Sequence, residues 1–381
     1  MAAAAGRTTL PVLVINAGSS TLKGSLVDPG STAPGPGATI AWAAGADGRQ
    51  DVDATLERAL TELRLEPSAV SAVGHRVVHG GERFRAPVVV DDRVVAAIEE
   101  LGSLAPLHNP LALRTIRAAR SRLGSVTHAA CFDTAFHATL PETAWRYPLP
   151  REWSAWGIRR FGFHGLSVQW AIERTATLLG RRSQELRIVV AHLGAGCSIT
   201  AVDRGRSIWT SMGLTPLDGT MMATRPGAID PGILVRVLRG RHLSVEQIDD
   251  ALERRSGLLA IGGSADMQAL LERERAHDQA ARLAVAMFVD RTAAAIASAV
   301  TRLETVDAIV FTAGIGEHAA TIRSRVCRRL AVVGVPPVPA RSVTRDAVVS
   351  GPDRRPAVLR IVAREDIVIA RAAARLARKR R

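Results

Sequence analysis

Short apolar runs bounded by glycine alternate with stretches of helical period along the whole chain, the pattern of an α/β protein. Strands are predicted at residues 12–15, 69–73, 188–192, 208–209, 308–312 and 358–362. Helices are predicted at 52–63, 110–123, 167–179, 276–302, 319–329 and 367–378. The Pro- and Gly-rich segment Ser31 to Gly37 reads as a surface turn. At 381 residues the chain exceeds the usual single core, so two domains of about 150 to 200 residues each are expected.

One stretch of the pattern occurs twice. Residues 13–28 read as strand, Gly-Ser-Ser turn and small-residue strand, ending Val27-Asp28. Residues 188–203 repeat the scheme as strand, His-Leu-Gly-Ala-Gly-Cys-Ser turn and second strand, ending Val202-Asp203. Two such hairpins in two half-chains imply duplicated domains facing one cleft. A third glycine turn, Gly314-Ile315-Gly316-Glu317, follows the 308–312 strand and precedes a helix, the strand-turn-helix arrangement that contacts nucleotides.

Charge adds a candidate site. The chain has only two lysines, and Lys23 follows Asn16-Ala17-Gly18-Ser19-Ser20, a turn whose backbone N–H groups and hydroxyls can cradle an anion such as phosphate. The same segment reads equally well as a hairpin turn with a solvated lysine. The formal charge of +14 invites a nucleic-acid reading. However, the arginines are spread along the whole chain, and aromatic residues, which would supply stacking platforms, make up only 4%. The arginines of residues 370–381 recur at helical spacing, as on a solvated helix end. Cys131, Cys197 and Cys327 have no paired spacing, which predicts free thiols in a reducing compartment and no cysteine metal cluster. Residues 1–9 lack a long apolar core and no later run reaches about 18 uncharged apolar residues, so a soluble cytoplasmic protein is expected, with no membrane and no nucleic acid as partner.

Charged and polar residues also recur inside apolar or glycine-rich loops: Gly74-His75-Arg76-Val77-Val78-His79-Gly80-Gly81, Ala105 to Pro110, Phe132 to His137, Arg160 to Gly165, Thr210 to Gly219 and Met221 to Gly227. Arg76 and Arg225 stand where a charge is costly to bury without an anion, either a substrate phosphoryl group or carboxylate or the partner in a structural ion pair.

Residues 15–23, 74–81, 132–137, 161–165, 210–218 and 311–317 resemble, in order, the motifs of the acetate kinase family, whose superfamily includes sugar kinases, actin and heat-shock ATPases. The resemblance runs from Asn16 to about Ala370. It implies two duplicated actin-like (ribonuclease H-like) domains with a nucleotide cleft between them, spanning 1–138 with a returning helix at 366–381, and 139–365. It implies reversible Mg²⁺-dependent transfer from ATP to acetate, with Mn²⁺ as a substitute metal, and a homodimer joined through the second domain.

By the same resemblance, Asn16 and Glu365 hold the metal and Lys23 meets the nucleotide phosphates. Arg76 binds the substrate carboxylate, Asp133 takes an acid/base or metal-positioning role, and His164 and Arg225 stabilise the phosphoryl group in flight. The nucleotide-contacting segments are His192, Leu193, Gly194, Ala195 and Gly196; Asp266, Met267 and Gln268; and Gly314, Ile315, Gly316, Glu317 and His318. Val78, Leu107, Phe163 and Pro216 are assigned to a pocket for the substrate methyl, though ordinary core packing also accounts for them.

Departures from the family pattern fall at Leu166 and Val168, usually Thr and His; at Ala195, usually Asn; at Gln268, usually Arg; and at His318, usually Asn. They bear on a hydrogen bond near the phosphoryl site and on nucleotide affinity. Ala228 and Asp366 are milder departures. The competing readings are a kinase of propionate or butyrate and a catalytically idle ATP-binding relative.

Overall fold

The computed structural model describes residues 10–18, 20–44 and 50–380. Ser19 of the first glycine turn and residues 1–9 lie outside the described residues. The chain divides into two compact units, Met1–Phe136 with Arg364–Arg381, and His137–Ala363.

The first unit is built on strands β1 Val12–Ala17, β2 Thr21–Val27, β3 Gly37–Ala41, β4 Ala72–Val77, β5 Val88–Val89 and β6 Thr127–Phe132, arranged β3-β2-β1-β4-β6-β5. β1, β4 and β6 run parallel; β2, β3 and β5 are antiparallel to their neighbours. Helices α1 Val52–Glu62, α2 Asp92–Glu100 and α3 Asn109–Arg122 bury their apolar faces in this unit. Leu13, Ile15, Leu56, Ala59, Val73 and Ala119 form part of its core.

The second unit repeats the plan. β7 Arg187–Leu193, β8 Cys197–Asp203, β9 Arg206–Thr210, β10 Ala308–Thr312, β11 Ala347–Val348 and β12 Ala357–Arg360 stand in the order β9-β8-β7-β10-β12-β11. Beyond two short helical turns at Glu142–Trp145 and Arg151–Ala155, its helices are α4 Gly165–Leu179, α5 Pro231–Arg241, α6 Val245–Arg254, α7 Gly257–Gly262, α8 Met267–Arg275, α9 Gln279–Val300, α10 Ala313–His318 and α11 Ala320–Arg329. A final helix, α12 Glu365–Arg380, lies in the first unit against β1, β4 and β6. The two sheets share one strand order, which is the doubled hairpin of the sequence extended to whole domains. The central parallel strands β1, β7 and β10 are buried nearly throughout and read as continuous apolar runs at residues 12–15, 188–191 and 308–312.

Register moves several predicted boundaries. The 69–73 strand is β4, which starts at Ala72 opposite Val12, while Pro67–Ala69 is a 3₁₀ turn. His75 and Arg76 interrupt its apolar pattern because they are partnered inside the unit. Gly74 is required there: a Cβ would stand 2.4 Å from Ile369 of α12. The 276–302 helix divides at Asp278, whose carboxylate accepts the N–H groups of Ala280 and Ala281 and starts α9. The third glycine turn is not a turn but helix α10, entered through Ala313 at φ +64°. α9 is long and apolar enough to cross a membrane, yet it packs against α7, α8, α11 and β8.

Candidate active site

Parallel pairing places the C-terminal ends of β1, β4 and β6 side by side, the edge at which open α/β sheets present ligand groups. Asn16, Arg76 and Asp133 all fall there. Arg76 donates from Nε to Asp133 Oδ1 at 3.1 Å and from Nη2 to Oδ2 at 2.5 Å, a bidentate pair. Its Nη1 donates to Asn16 Oδ1 at 3.2 Å, and its Nε lies 3.7 Å from Glu365 Oε2 on the first turn of α12. Asp133 is fully buried, and its own N–H is held by the Val77 carbonyl at 3.0 Å. Burial would lower the Arg76 pKa, but the carboxylates of Asp133 and Glu365 outweigh it and raise it above its ordinary value. With both oxygens on the guanidinium, Asp133 aims Arg76.

Lys23 is exposed on β2, directly opposite Asn16 in register. Val78 is buried just beyond β4, and Leu107 is half-buried before α3. The chain after Val78 is fixed by Asn109, which accepts the His79 N–H at 3.1 Å and donates to its carbonyl at 2.9 Å.

As for a metal, Asn16 and Glu365 offer an amide and a carboxylate oxygen around one guanidinium. No cluster of three or more His, Cys, Asp or Glu with metal-binding geometry exists among the described residues. Two oxygen donors fit Mg²⁺, which keeps several waters and completes its shell with substrate phosphates.

In the second unit, His164 occupies the left-handed region at φ +57°, just before α4. Its Nδ1 lies 3.0 Å from Ser198 Oγ on β8. Its ring stacks on that of His192 with centroids 4.0 Å apart, and His192 Nδ1 is 2.8 Å from Ser167 Oγ on α4. The His164 ring and Arg225 converge on Gly196. A Cβ at Gly196 would stand 3.3 Å from His164 Cε1 and Nε2 and 3.9 Å from Arg225 Nη1. Arg225 Nε donates to Glu253 Oε2 at 2.5 Å.

The remaining nucleotide candidates separate by exposure. Gly194 adjoins α10, where its Cβ would lie 3.5 Å from Ala313 Cβ, and Ala195 is exposed at the tip of the β7–β8 hairpin. Gly314 and His318 are exposed, and Ile315 is half-buried. Gly316 is buried. Glu317 turns inward, accepting the Ala363 N–H at 2.9 Å with Arg360 Nη2 at 3.6 Å. Asp266 caps α8 by accepting the Ala269 N–H at 2.8 Å; Met267 is buried, and Gln268 reaches Glu272 at 3.1 Å. Leu193, Phe163 and Pro216 are buried. His137 donates from Nε2 to the Phe163 carbonyl at 2.9 Å. Of the departures, Val168 faces the core, whereas Ala195, Gln268 and His318 are exposed.

Ser167, Ser198 and Glu253 are site residues that the motifs do not name. Ser198 ends the His-Leu-Gly-Ala-Gly-Cys-Ser turn and Ser167 stands three residues after His164, so a hydroxyl near each histidine is a readable signal; Glu253, 28 residues from Arg225, carries none.

A family model described as the acetokinase family matches residues 11–371. The chain is 44% identical to the acetate kinase of Nostoc sp. over 319 residues, 83% of this chain and 79% of that protein. It is 40% identical to the acetate kinase of Gloeobacter violaceus over 397 residues, 95% and 98% of the two. Among solved structures, a propionate kinase from Francisella tularensis superposes with a TM-score of 0.89 at 34% identity, covering 97% of this chain and 100% of that one. Acetate kinase from Porphyromonas gingivalis gives 0.86 at 30% identity, with the same coverage.

Proposed function

The chain belongs to the acetokinase family, with two actin-like α/β domains, and we propose that it reversibly transfers a phosphoryl group from ATP to acetate, giving ADP and acetyl phosphate. The observation that carries this reading is the convergence of His164 and Arg225 on Gly196, where the missing side chain leaves the imidazole and the guanidinium uncovered.

The chemistry asks for little beyond position and charge. A carboxylate nucleophile is already ionised at neutral pH, so no strong base is needed. Arg76 binds and orients the acid, and Asp133 fixes the plane of its guanidinium. Phosphoryl transfer passes through a loose transition state with charge on the equatorial oxygens, which Arg225 and His164 offset. Ser198 and Ser167 set the ring orientations of His164 and His192. Asn16 and Glu365 would hold Mg²⁺, which neutralises phosphate charge when bound; Lys23 adds a donor to the nucleotide phosphates. Gly314, exposed with no atom within 4 Å of a Cβ position, leaves the nucleotide room.

Val78, Leu107, Phe163 and Pro216 are proposed to favour the acetate methyl. A methylene changes binding by only about 1 to 3 kcal/mol, so propionate should be a poorer substrate. We place the protein in the cytoplasm, in keeping with its three buried free thiols. We assign it as a homodimer through the second domain. The apolar exposure of α5 supports that assignment, with Ile233 and Val235 each 47% exposed and Leu238 41%.

The test is Mg-ATP-dependent acyl phosphate formation, trapped as hydroxamate, with acetate, propionate and butyrate side by side. Acetate is expected to be strongly preferred. Equal or higher activity with a longer acid would reassign the substrate, and ATP binding without any product would favour an idle relative.

A further inference from the structure

We infer that Glu253 is a positioning residue for phosphoryl transfer: it holds the Arg225 guanidinium by its Nε, so that the group is aimed before substrate arrives. The inference rests on the role proposed above for Arg225.

Glu253 lies on the last turn of α6, a helix without a fully buried residue. Its acidic neighbour on that helix, Asp250, pairs outward with Arg254 and Arg255. Glu253 instead points inward; its carboxylate is 12% exposed and the Arg225 side chain 16%. The bond is to Nε, while Nη1 stands toward Gly196. A carboxylate on Nε therefore fixes the guanidinium plane without using the edge that faces the cradle.

Both partners are tied to one backbone scaffold. Thr224 Oγ1 donates to the Glu253 carbonyl at 2.7 Å, and Ser256 N–H to the Thr224 carbonyl at 2.9 Å. The N–H groups of Leu258 and Leu259 reach the Met222 and Ala223 carbonyls at 2.9 and 3.0 Å. Gly257, at φ +65°, permits this approach; a Cβ would stand 2.2 Å from the Met222 carbonyl oxygen. The Ala223 N–H in turn bonds the Ala195 carbonyl at 3.2 Å, joining the scaffold to the β7–β8 hairpin.

An arginine side chain has many rotamers to lose, and a misplacement of about 1 Å can cost a hundredfold in rate. Fixing Arg225 in advance should thus appear in kcat, not in ground-state binding.

The test is a double-mutant cycle on the full chain, with acyl phosphate formation and thermal melting as readouts. Glu253→Ala is expected to lower kcat by about 10- to 100-fold, with KM for ATP and acetate within about threefold of wild type. Glu253→Gln keeps a neutral acceptor and should recover most of that loss. In an Arg225→Ala background, itself slower by about 10² to 10³, adding Glu253→Ala should have no further effect. If Glu253→Ala does not fold, Glu253→Asp decides: a carboxylate drawn back by one methylene should lower kcat severalfold at unchanged KM. Wild-type kcat in the folded Ala variant, or in the Asp variant where that one decides, would overturn the inference alone. So would an equal loss with and without Arg225. A wild-type protein that forms no acyl phosphate would overturn the proposed function and this inference with it.

Discussion

Replacing Asp133 by Asn tests the charge pairing at the C-terminal edge of the first unit's sheet most directly. The native carboxylate is fully buried and takes two bonds from Arg76. Asparagine keeps the shape but supplies one acceptor, and it turns an NH₂ toward a cation. Removing one partner of a buried pair costs about 3 to 5 kcal/mol, because the other charge is left uncompensated. Glu365 remains 3.7 Å from Nε and the Arg76 side chain is 18% exposed, which puts this site at the low end, about 3 kcal/mol. For a domain of this size each kcal/mol shifts the midpoint by about 2 to 4 °C, so the transition of the first unit should fall by about 6 to 12 °C in calorimetry. Its KM for acetate should rise at least about tenfold as Arg76 loses its aim. The double replacement Arg76→Met with Asp133→Leu should recover most of the stability, since an apolar pair needs no compensation, but no activity. A melting point for Asp133→Asn within about 2 °C of wild type would refute the account of Asp133 as the partner that holds Arg76.

Acid should weaken the fold through three buried histidines. Desolvation lowers the pKa of His75, further depressed by His128, and of His128 itself, and pushes His137 down to about 4. The unfolded chain binds protons that the native state refuses, so this stability is complete above pH of about 6.5 and is lost on acidification; His137 alone accounts for about 2 kcal/mol at pH 5. Urea midpoints at pH 8 and pH 5 should differ accordingly, and His137→Asn should flatten the difference; a pH-independent midpoint would count against it. Gly196→Ala should lower kcat at least about 30-fold by filling the cradle beside His164, with melting unchanged. Unaltered turnover would remove Gly196 from the site. Gly314→Leu should raise KM for ATP more than about tenfold while leaving KM for acetate and the melting point alone, because Gly314 is exposed and a Cβ there has open space around it; an unchanged KM would place the nucleotide elsewhere.

The class of the fold and its doubling are legible in the residue pattern alone. Residues 308–312 read as a strand and are β10, because a strand covered on both faces announces itself by composition alone. The two hairpin patterns became two sheets of one strand order, β1/β2 and β7/β8 occupying equivalent places. The ordered motifs also named the family, which the match over residues 11–371 bears out.

The remaining features depend on contacts between elements far apart in the chain. β6 went unread because its Thr-His-Ala-Ala-Cys-Phe has neither a branched apolar run nor alternation; its burial comes from β4 alongside it. The glycines of α10 looked like a turn because glycine permits one, and only the backbone at Ala313 makes the segment a helix. Arg76 meets an acid 57 positions away and Arg225 one 28 away. Periodicity records which residues one element buries. Which side chain meets which charge depends on strand register and on how distant helices settle, and no local pattern carries that information.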